Sequence, residues 1–547
     1  MINKIKIFAM QGIFNKKLVI FIFIFIFSYL ILSFNLNMQG IDVDEGYHHG
    51  FSMAIFDLMA EGEFFDPCIT GKGTCELIDI SCPGQSYWFG SGGFVKGFFV
   101  GLGDFFFSDD ERIYYASSDV ECKNIHHNTG IRGESMPSQS ELTAARFFSP
   151  IFGALVVSVS FQIGKMLFNR PVGITFSLIL LFHALWMHYS RTLLLEVYTS
   201  FFVIIGIFLL LYSLNQTKNI TIKYFILSAI FIGIALNIKI TSIEIVPVLI
   251  IIIFFRNSWK DKLKFKDFLD KKKFLKSSVF FVIFFGIVGA TFFGINPYYY
   301  DSSVEQFKKQ FGDAKSGYSD IAKLPWENPK KIILPIVESA TILPIFEIYY
   351  TFSGDEMPTS LKFTNEDGVE ETAGSTFSSV PLSVFFIIGI GLLLWKISRN
   401  KITYGELVII SWYVSIFIIL SSIIESYNST RHFLPIVFPM ILIMAYGFTK
   451  FLNIIINYKE KIILIILTFF GHFVTVMIFW EYIYFKPEFV WRLPSICVKE
   501  ETIDVCIREH VSLSEALGEP IVLVSSIIFV ICIAVFFIKN RIISKNS

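Results

Sequence analysis

Residues 188–214 read His188-Tyr189-Ser190-Arg191-Thr192-Leu193-Leu194-Leu195-Glu196-Val197-Tyr198-Thr199-Ser200-Phe201-Phe202-Val203-Ile204-Ile205-Gly206-Ile207-Phe208-Leu209-Leu210-Leu211-Tyr212-Ser213-Leu214. From Leu193 onward this is a helix long enough to cross the hydrocarbon core of a bilayer, which takes about 20 apolar residues, and its one charge is Glu196. Runs of this kind recur along all 547 residues, of which 54% are hydrophobic and only 17% charged. Water-soluble chains carry about 25% charged residues. Disorder and an ordinary soluble enzyme are both excluded, and the chain reads as a bilayer protein. Lys and Arg number 46 against 46 Asp and Glu, so no global charge points to nucleic acid, and only the placement of charges informs.

About twelve crossings are expected. They run over Leu18–Phe34, Leu142–Met166, Val172–Tyr189, Leu193–Leu214, Tyr224–Asn237, Ile240–Phe255, Ser278–Ile295, Val380–Trp395, Leu407–Ile424, Phe433–Leu452, Ile462–Tyr482 and Ile521–Ile538. The fifth and sixth form a hairpin broken near Lys239 by the polar Asn237-Ile238-Lys239-Ile240-Thr241. Backbone groups in lipid must be bonded internally, and no barrel-like alternation is present, so the spans are helices. The expected fold class is therefore an all-α polytopic membrane protein with large outer loops.

With the N-terminus inside, the short loops on the inner side hold about 26 of the 46 basic residues and few acids, as the positive-inside rule requires. Both termini are then cytoplasmic. The opposite side carries three large segments, roughly 35–141, 296–379 and 485–520. Cys68, Cys75, Cys82 and Cys122 fall in the first of these and Cys497 and Cys506 in the last, while Cys532 sits in a span. An even set on one side fits disulfides in an oxidising outer compartment; the spacing does not match the tight pairs of structural zinc sites. The N-terminal apolar run is read as a retained helix rather than a signal peptide, because its removal would upset the charge parity of the later crossings.

Directly after the first helix comes Ile41-Asp42-Val43-Asp44-Glu45-Gly46-Tyr47-His48-His49-Gly50. Adjacent carboxylates with imidazoles a turn away form an acid/base or cation-binding cluster, or else Asp42, Asp44 and Glu45 merely begin a helix whose dipole favours them. His48 and His49 read first as interface residues, since neighbours on a helix point about 100° apart. The stretch Phe51–Phe64 is expected to lie along the membrane interface. Arg191, Lys239 and Arg431 sit on the outer side against the charge bias, where they meet an anionic lipid phosphate or snorkel to headgroups. Tyr298–Tyr300 and Trp326 belong to an aromatic belt or a sugar-stacking surface. Ser138-Gln139-Ser140-Glu141 is a capping box that starts the second span. The basic run Lys260–Lys276 is an orientation signal or lipid anchor.

Taken in order, these pieces resemble the GT-C superfamily of polytopic glycosyltransferases, in particular family 39 and its relatives, the protein O-mannosyltransferases and aminoarabinose transferases. Asp44-Glu45 stands where that family has an Asp-Glu pair early in the first outer loop, with His following. Ala144-Ala145-Arg146-Phe147-Phe148-Ser149-Pro150-Ile151-Phe152-Gly153 and Gly164-Lys165-Met166-Leu167-Phe168 resemble its second helix and exit. His188-Tyr189-Ser190-Arg191 with Glu196 is similar to its turn between helices three and four. Gly233-Ile234-Ala235-Leu236-Asn237-Ile238-Lys239-Ile240-Thr241 and Arg431-His432-Phe433-Leu434-Pro435 with Pro439 resemble two later segments. The likeness spans roughly Asp42 to Leu452, which sets expected bounds of 1–452 for a GT-C-like catalytic module and 453–547 for C-terminal helices with a short outer loop that contains Cys497 and Cys506.

The resemblance implies an inverting transfer of a sugar from a polyprenyl- or dolichyl-phosphate donor to a protein, lipid or glycan acceptor on the outer face. In that scheme Asp44 is the general base and Glu45 a cation ligand or positioning group. Arg191, Lys239 and Arg431 stabilise the leaving lipid phosphate, with Glu196 and His48 also in the substrate site. A divalent cation, Mg2+ or Mn2+, on Asp44, Glu45 and His48 is compatible with the scheme but not required by it. The expected setting is a prokaryotic plasma membrane with the site facing outside. The competing class is a secondary transporter or lipid-carrier flippase, which would place ionisable groups near the bilayer midplane and show paired halves; neither feature is seen in the sequence.

Overall fold

The computed structural model describes residues 16–38, 45–70, 94–108, 137–214, 221–255, 271–300, 361–364, 370–373, 380–423, 434–455 and 457–480. Asp44, Arg431, Cys75, Cys82, Cys122, Cys497, Cys506, Trp326 and the expected twelfth span lie outside them, and of Cys68 only the backbone is described.

The other eleven expected spans are all helical. α1 (Lys16–Ser33) is followed by α2 (Glu45–Glu61), α3 (Pro67–Thr70) and α4 (Phe94–Phe107). Then come α5 (Gln139–Ala145), α6 (Phe148–Leu167), α7 (Arg170–Leu181), α8 (Ala184–Tyr189), α9 (Leu195–Leu214), α10 (Ile222–Ile238), α11 (Val246–Phe254) and α12 (Lys271–Ile295). After a hairpin come α13 (Val380–Ser398), α14 (Tyr404–Ile423), α15 (Leu434–Ile454) and α16 (Tyr458–Trp480). Among the described residues, four stretches are long and apolar enough to cross a membrane: Gln139–Leu167, Leu195–Leu214, Phe274–Ile295 and Leu434–Ile454. The hairpin pairs β1 (Leu361–Thr364) antiparallel with β2 (Glu370–Ala373), a short strand pair that qualifies the all-α reading.

Local sequence explains most of the breaks. Ser138 caps α5: its side chain accepts from the Glu141 amide at 3.1 Å, and Glu141 accepts from the Ser138 amide at 2.6 Å. The expected second span is interrupted at Arg146–Phe147 because Pro150 cannot donate to the carbonyl four residues back; the Ser149 amide bonds Arg146 O at 2.9 Å instead. Pro247 has the same effect, and the chain from Ile240 to Ile245 is a 3-10 turn. The third span also divides, at Phe182–His183, where no glycine or proline marks the site.

The main core is built from α6, α7, α9, α10, α11, α14 and α15. At the end of the bundle opposite the α1–α2 junction, Glu406 accepts from Lys396 Nζ, from the Tyr446 hydroxyl at 2.6 Å and from the Thr403 amide at 2.9 Å, tying α13, α14 and α15 together. α13 and α15 touch along small residues. A Cβ on Gly447 would collide with the Phe385 carbonyl and lie 2.8 Å from Gly389 N. Close approach through glycine is how helices associate where burial from water supplies no drive.

In the stretch Phe51–Phe64, expected along the interface, Phe51, Met53, Ala54, Ile55 and Leu58 are buried against α4 while Phe64 is exposed. α4 is the element turned inside out. It points Lys96, Gly97, Gly101 and Asp104 inward and leaves Phe98, Phe105, Phe106 and Phe107 exposed. Packed glycines explain the fit, since a Cβ on Gly101 would run into the Phe56 ring.

Gly447→Ala is expected to destabilise the protein by about 1–3 kcal/mol through overpacking against α13. The thermal unfolding midpoint in detergent checks this; an unshifted midpoint would mean that the contact yields freely.

Candidate functional site

The segment Ser190–Glu196, between α8 and the first turn of α9, gathers the polar groups of one end of the bundle. Glu45 opens α2 and is completely buried. Arg146 Nε donates to its Oε1 at 2.8 Å, Arg146 Nη2 bonds Oε2, and the Leu193 amide donates to Oε1 at 2.7 Å. Arg146 is itself fully buried, at the corner between α5 and α6. This is a bidentate, charge-assisted pair, the arrangement that makes a buried carboxylate tolerable.

Arg191 is also fully buried. Its Nη1 donates to Leu32 O at 2.8 Å and Phe34 O at 2.7 Å, and its Nη2 to Asn35 O at 2.9 Å. These carbonyls are at the C-terminal end of α1, where the helix has no intrahelical donors left, and Asn35 has a positive φ of 48°. Arg191 thus holds the end of α1 by hydrogen bonds that also suit the helix dipole.

Glu196 in the first turn of α9 receives Lys239 Nζ at 2.8 Å. Lys239 closes α10 just as the expected hairpin break requires, its amide bonding Ala235 O at 2.9 Å. Of the three cations here Lys239 is the exposed one, at 18%. Ser149 Oγ donates to Thr192 O at 2.8 Å and lies 3.2 Å from the Tyr198 hydroxyl, which seats the segment on α6. Asn237 Nδ2 donates to Phe292 O at 3.0 Å and ties α10 to α12.

Of the residues singled out from sequence, Glu45, Arg191, Glu196 and Lys239 therefore come together on one segment. His48 is buried on α2, its carbonyl accepting from Ser52 Oγ at 2.6 Å. Tyr298 and Tyr299 are packed against Phe292 and Phe293 rather than presented as a belt, while Tyr300 is exposed. Among the described residues no group of three His, Cys, Asp or Glu side chains is arranged to hold a metal ion. Both oxygens of Glu45 are engaged by Arg146, and the carboxylate next to it in the expected ligand set, Asp44, is outside the described residues.

Arg146 lies in the stretch that resembles the family's second helix, and sequence reasoning assigns it no role. The signal was available: it is a lone cation in Ala144–Gly153, where every neighbour is apolar, small or a hydroxyl residue. Its partner was not legible, because Glu45 is 101 residues away.

Residues 123–296 match the family described as dolichyl-phosphate-mannose-protein mannosyltransferase. That stretch lies within the part of the chain that resembles family 39 of the GT-C glycosyltransferases and contains Arg146, Arg191, Glu196 and Lys239; Asp44, Glu45 and Arg431 fall outside it. Among solved structures, the chain is similar to the Saccharomyces cerevisiae protein O-mannosyltransferase Pmt1-Pmt2 complex bound to the sugar donor, at 16% identity and a TM-score of 0.36. That match covers 53% of this chain and 34% of the other. ArnT from Cupriavidus metallidurans bound to undecaprenyl phosphate matches at 11% identity and 0.38, over 84% of this chain and 71% of that one. The Archaeoglobus fulgidus oligosaccharyltransferase in the apo form matches at 12% identity and 0.48, over 92% and 59%. The chain thus spans about a third of the yeast chain's length. No curated protein sequence matches.

Removing one partner of the Glu45–Arg146 pair strands a buried charge, so Arg146→Gln is expected to cost about 3–5 kcal/mol. Glu45→Gln with Arg146→Gln together should cost less than the sum of the singles. Unfolding midpoints of the three variants check this; additive losses would show that the two side chains do not act as a pair.

Proposed function

We propose that the protein is an integral-membrane glycosyltransferase that moves a sugar from a polyprenyl- or dolichyl-phosphate donor to a hydroxyl acceptor, with Asp44 as the base. The observation that carries this reading is the Arg146–Glu45–Leu193 clamp. It immobilises Glu45, the neighbour of Asp44 in sequence, against the same segment that bears the Lys239–Glu196 pair. The family match over 123–296 supports a dolichyl-phosphate-linked mannose as donor and a protein as acceptor.

The chemistry follows from charge. The acceptor oxygen attacks the anomeric carbon, its proton passes to Asp44, and the bond from that carbon to the phosphate oxygen breaks with its electron pair leaving on the lipid phosphate. Negative charge develops on that phosphate, and a cation already in place stabilises it without reorganisation. Of the three cations on this segment Lys239 suits the task best, because Arg146 and Arg191 are fully enclosed while Lys239, though paired with Glu196, keeps part of its surface open. Glu45 acts as the positioning group beside the base and Arg191 as a support for the end of α1. Arg431 is proposed as a second phosphate contact. The site faces the exterior side of the membrane, in line with the charge bias of the loops.

Purified Asp44→Asn should still bind a polyprenyl-phosphate sugar yet turn over at least about a hundred-fold more slowly; turnover like that of the wild type would remove Asp44 from the role of base. Lys239→Gln should weaken donor binding more than Arg191→Lys does. Equal affinities in the two variants would count against Lys239 as the phosphate contact.

A further inference from the structure

α2 is held on a second point that the reading above does not use. His49 stands one helical turn beyond Glu45, so the two share a face of α2. Its Nε2 lies 3.8 Å from Asp104 Oδ1 on α4, with side-chain exposures of 2% and 3%. α4 reaches this place through its inverted pattern. Its glycines let it close on Ser52, Ile55 and Phe56 of α2, and a Cβ on Gly103, beside Asp104, would lie 2.7 Å from the Ala144 carbonyl just before Arg146. The same small surface of α4 therefore touches α2 and the corner that carries the Glu45 partner. Phe99 of α4 packs on Phe148 and Phe152 in the first turns of α6, with ring centroids at 5.6 and 4.9 Å, so α4 is seated on a spanning helix.

We infer that His49 and Asp104 form a second clamp that, with the Glu45–Arg146 pair, sets the orientation of α2 for transfer, with His49 as a positioning residue. The physical reason is that the apolar packing of α2 on α4 is non-directional, whereas two polar contacts four residues apart, Glu45 on Arg146 and His49 on Asp104, fix the rotation of the helix; misplacement of a reacting group by about 1 Å can slow a reaction a hundred-fold. A carboxylate and an imidazole this deeply enclosed are tolerated when they face each other. The inference rests on the glycosyltransferase reading for its consequence but not for its geometry.

The test uses the full chain in lipid nanodiscs, with dolichyl-phosphate-mannose as donor and a Ser/Thr-containing peptide as acceptor. Asp104→Asn and His49→Asn should each lower kcat about tenfold or more, with KM for the donor changed less than about threefold. The double variant should be no slower than the worse single, because the pair acts as one unit. Exchanging the two residues, His49→Asp with Asp104→His, should recover part of the lost kcat. Losses that multiply in the double variant, or a fall in unfolding midpoint with kcat intact, would overturn the positioning role. Amide hydrogen exchange gives a readout that needs no turnover. In Asp104→Asn, whose shape is conserved, α2 should exchange at least about tenfold faster while α6 and α9 are unchanged. If the wild type transfers no sugar but α2 loosens in this way, the glycosyltransferase reading fails and the clamp stands; if α2 exchange is unaltered, the clamp itself is wrong.

Discussion

A carboxylate and a guanidinium, both fully enclosed and bonded through two contacts, hold this end of the molecule together. Buried charge is tolerated only when its partner is present and its remaining hydrogen-bonding capacity is met. Glu45 meets both conditions by drawing on Arg146 and on the Leu193 amide, and in doing so it brings α2, the α5–α6 corner and the start of α9 to one point. Arg191 and Lys239 then extend the same node to the end of α1 and the end of α10.

The bundle around that node is assembled by two different means. Through the body, large aliphatic and aromatic side chains from α6, α9, α10 and α15 fill the interior. Where helices must approach more closely, as α13 and α15 do, glycine removes the side chain altogether. At the far end the fastening is polar again: Glu406 collects a lysine, a tyrosine and a backbone amide. Polar staples at both ends with an apolar middle suit a chain whose middle has no water to compete for hydrogen bonds.

α4 shows why exposure must be judged against the solvent. Its charged and small residues are inside and its phenylalanines outside, the reverse of a helix on a water-soluble protein. The pattern arises because its inner face has to meet both an imidazole on α2 and a backbone carbonyl on α5, for which Asp104 and Gly103 are suited and phenylalanine is not.

The amino-acid sequence by itself determined the helices. Apolar run length, charge bias between loops, the capping box at Ser138 and the polar break at Lys239 are local or additive properties, and each needs only its neighbours to be read. It also pointed to Glu45, Arg191, Glu196 and Lys239 through their order along the chain, as a family likeness. What those groups bond to was decided by tertiary structure alone. Glu45 meets a residue 101 positions away and Arg191 reaches back 159 positions to Leu32, and no periodicity encodes such pairings. For the same reason the burial of Phe51, Met53, Ala54, Ile55 and Leu58 against α4 is not legible in the sequence. An apolar face on a helix specifies that something covers it, and only the packed chain decides whether that cover is lipid or α4.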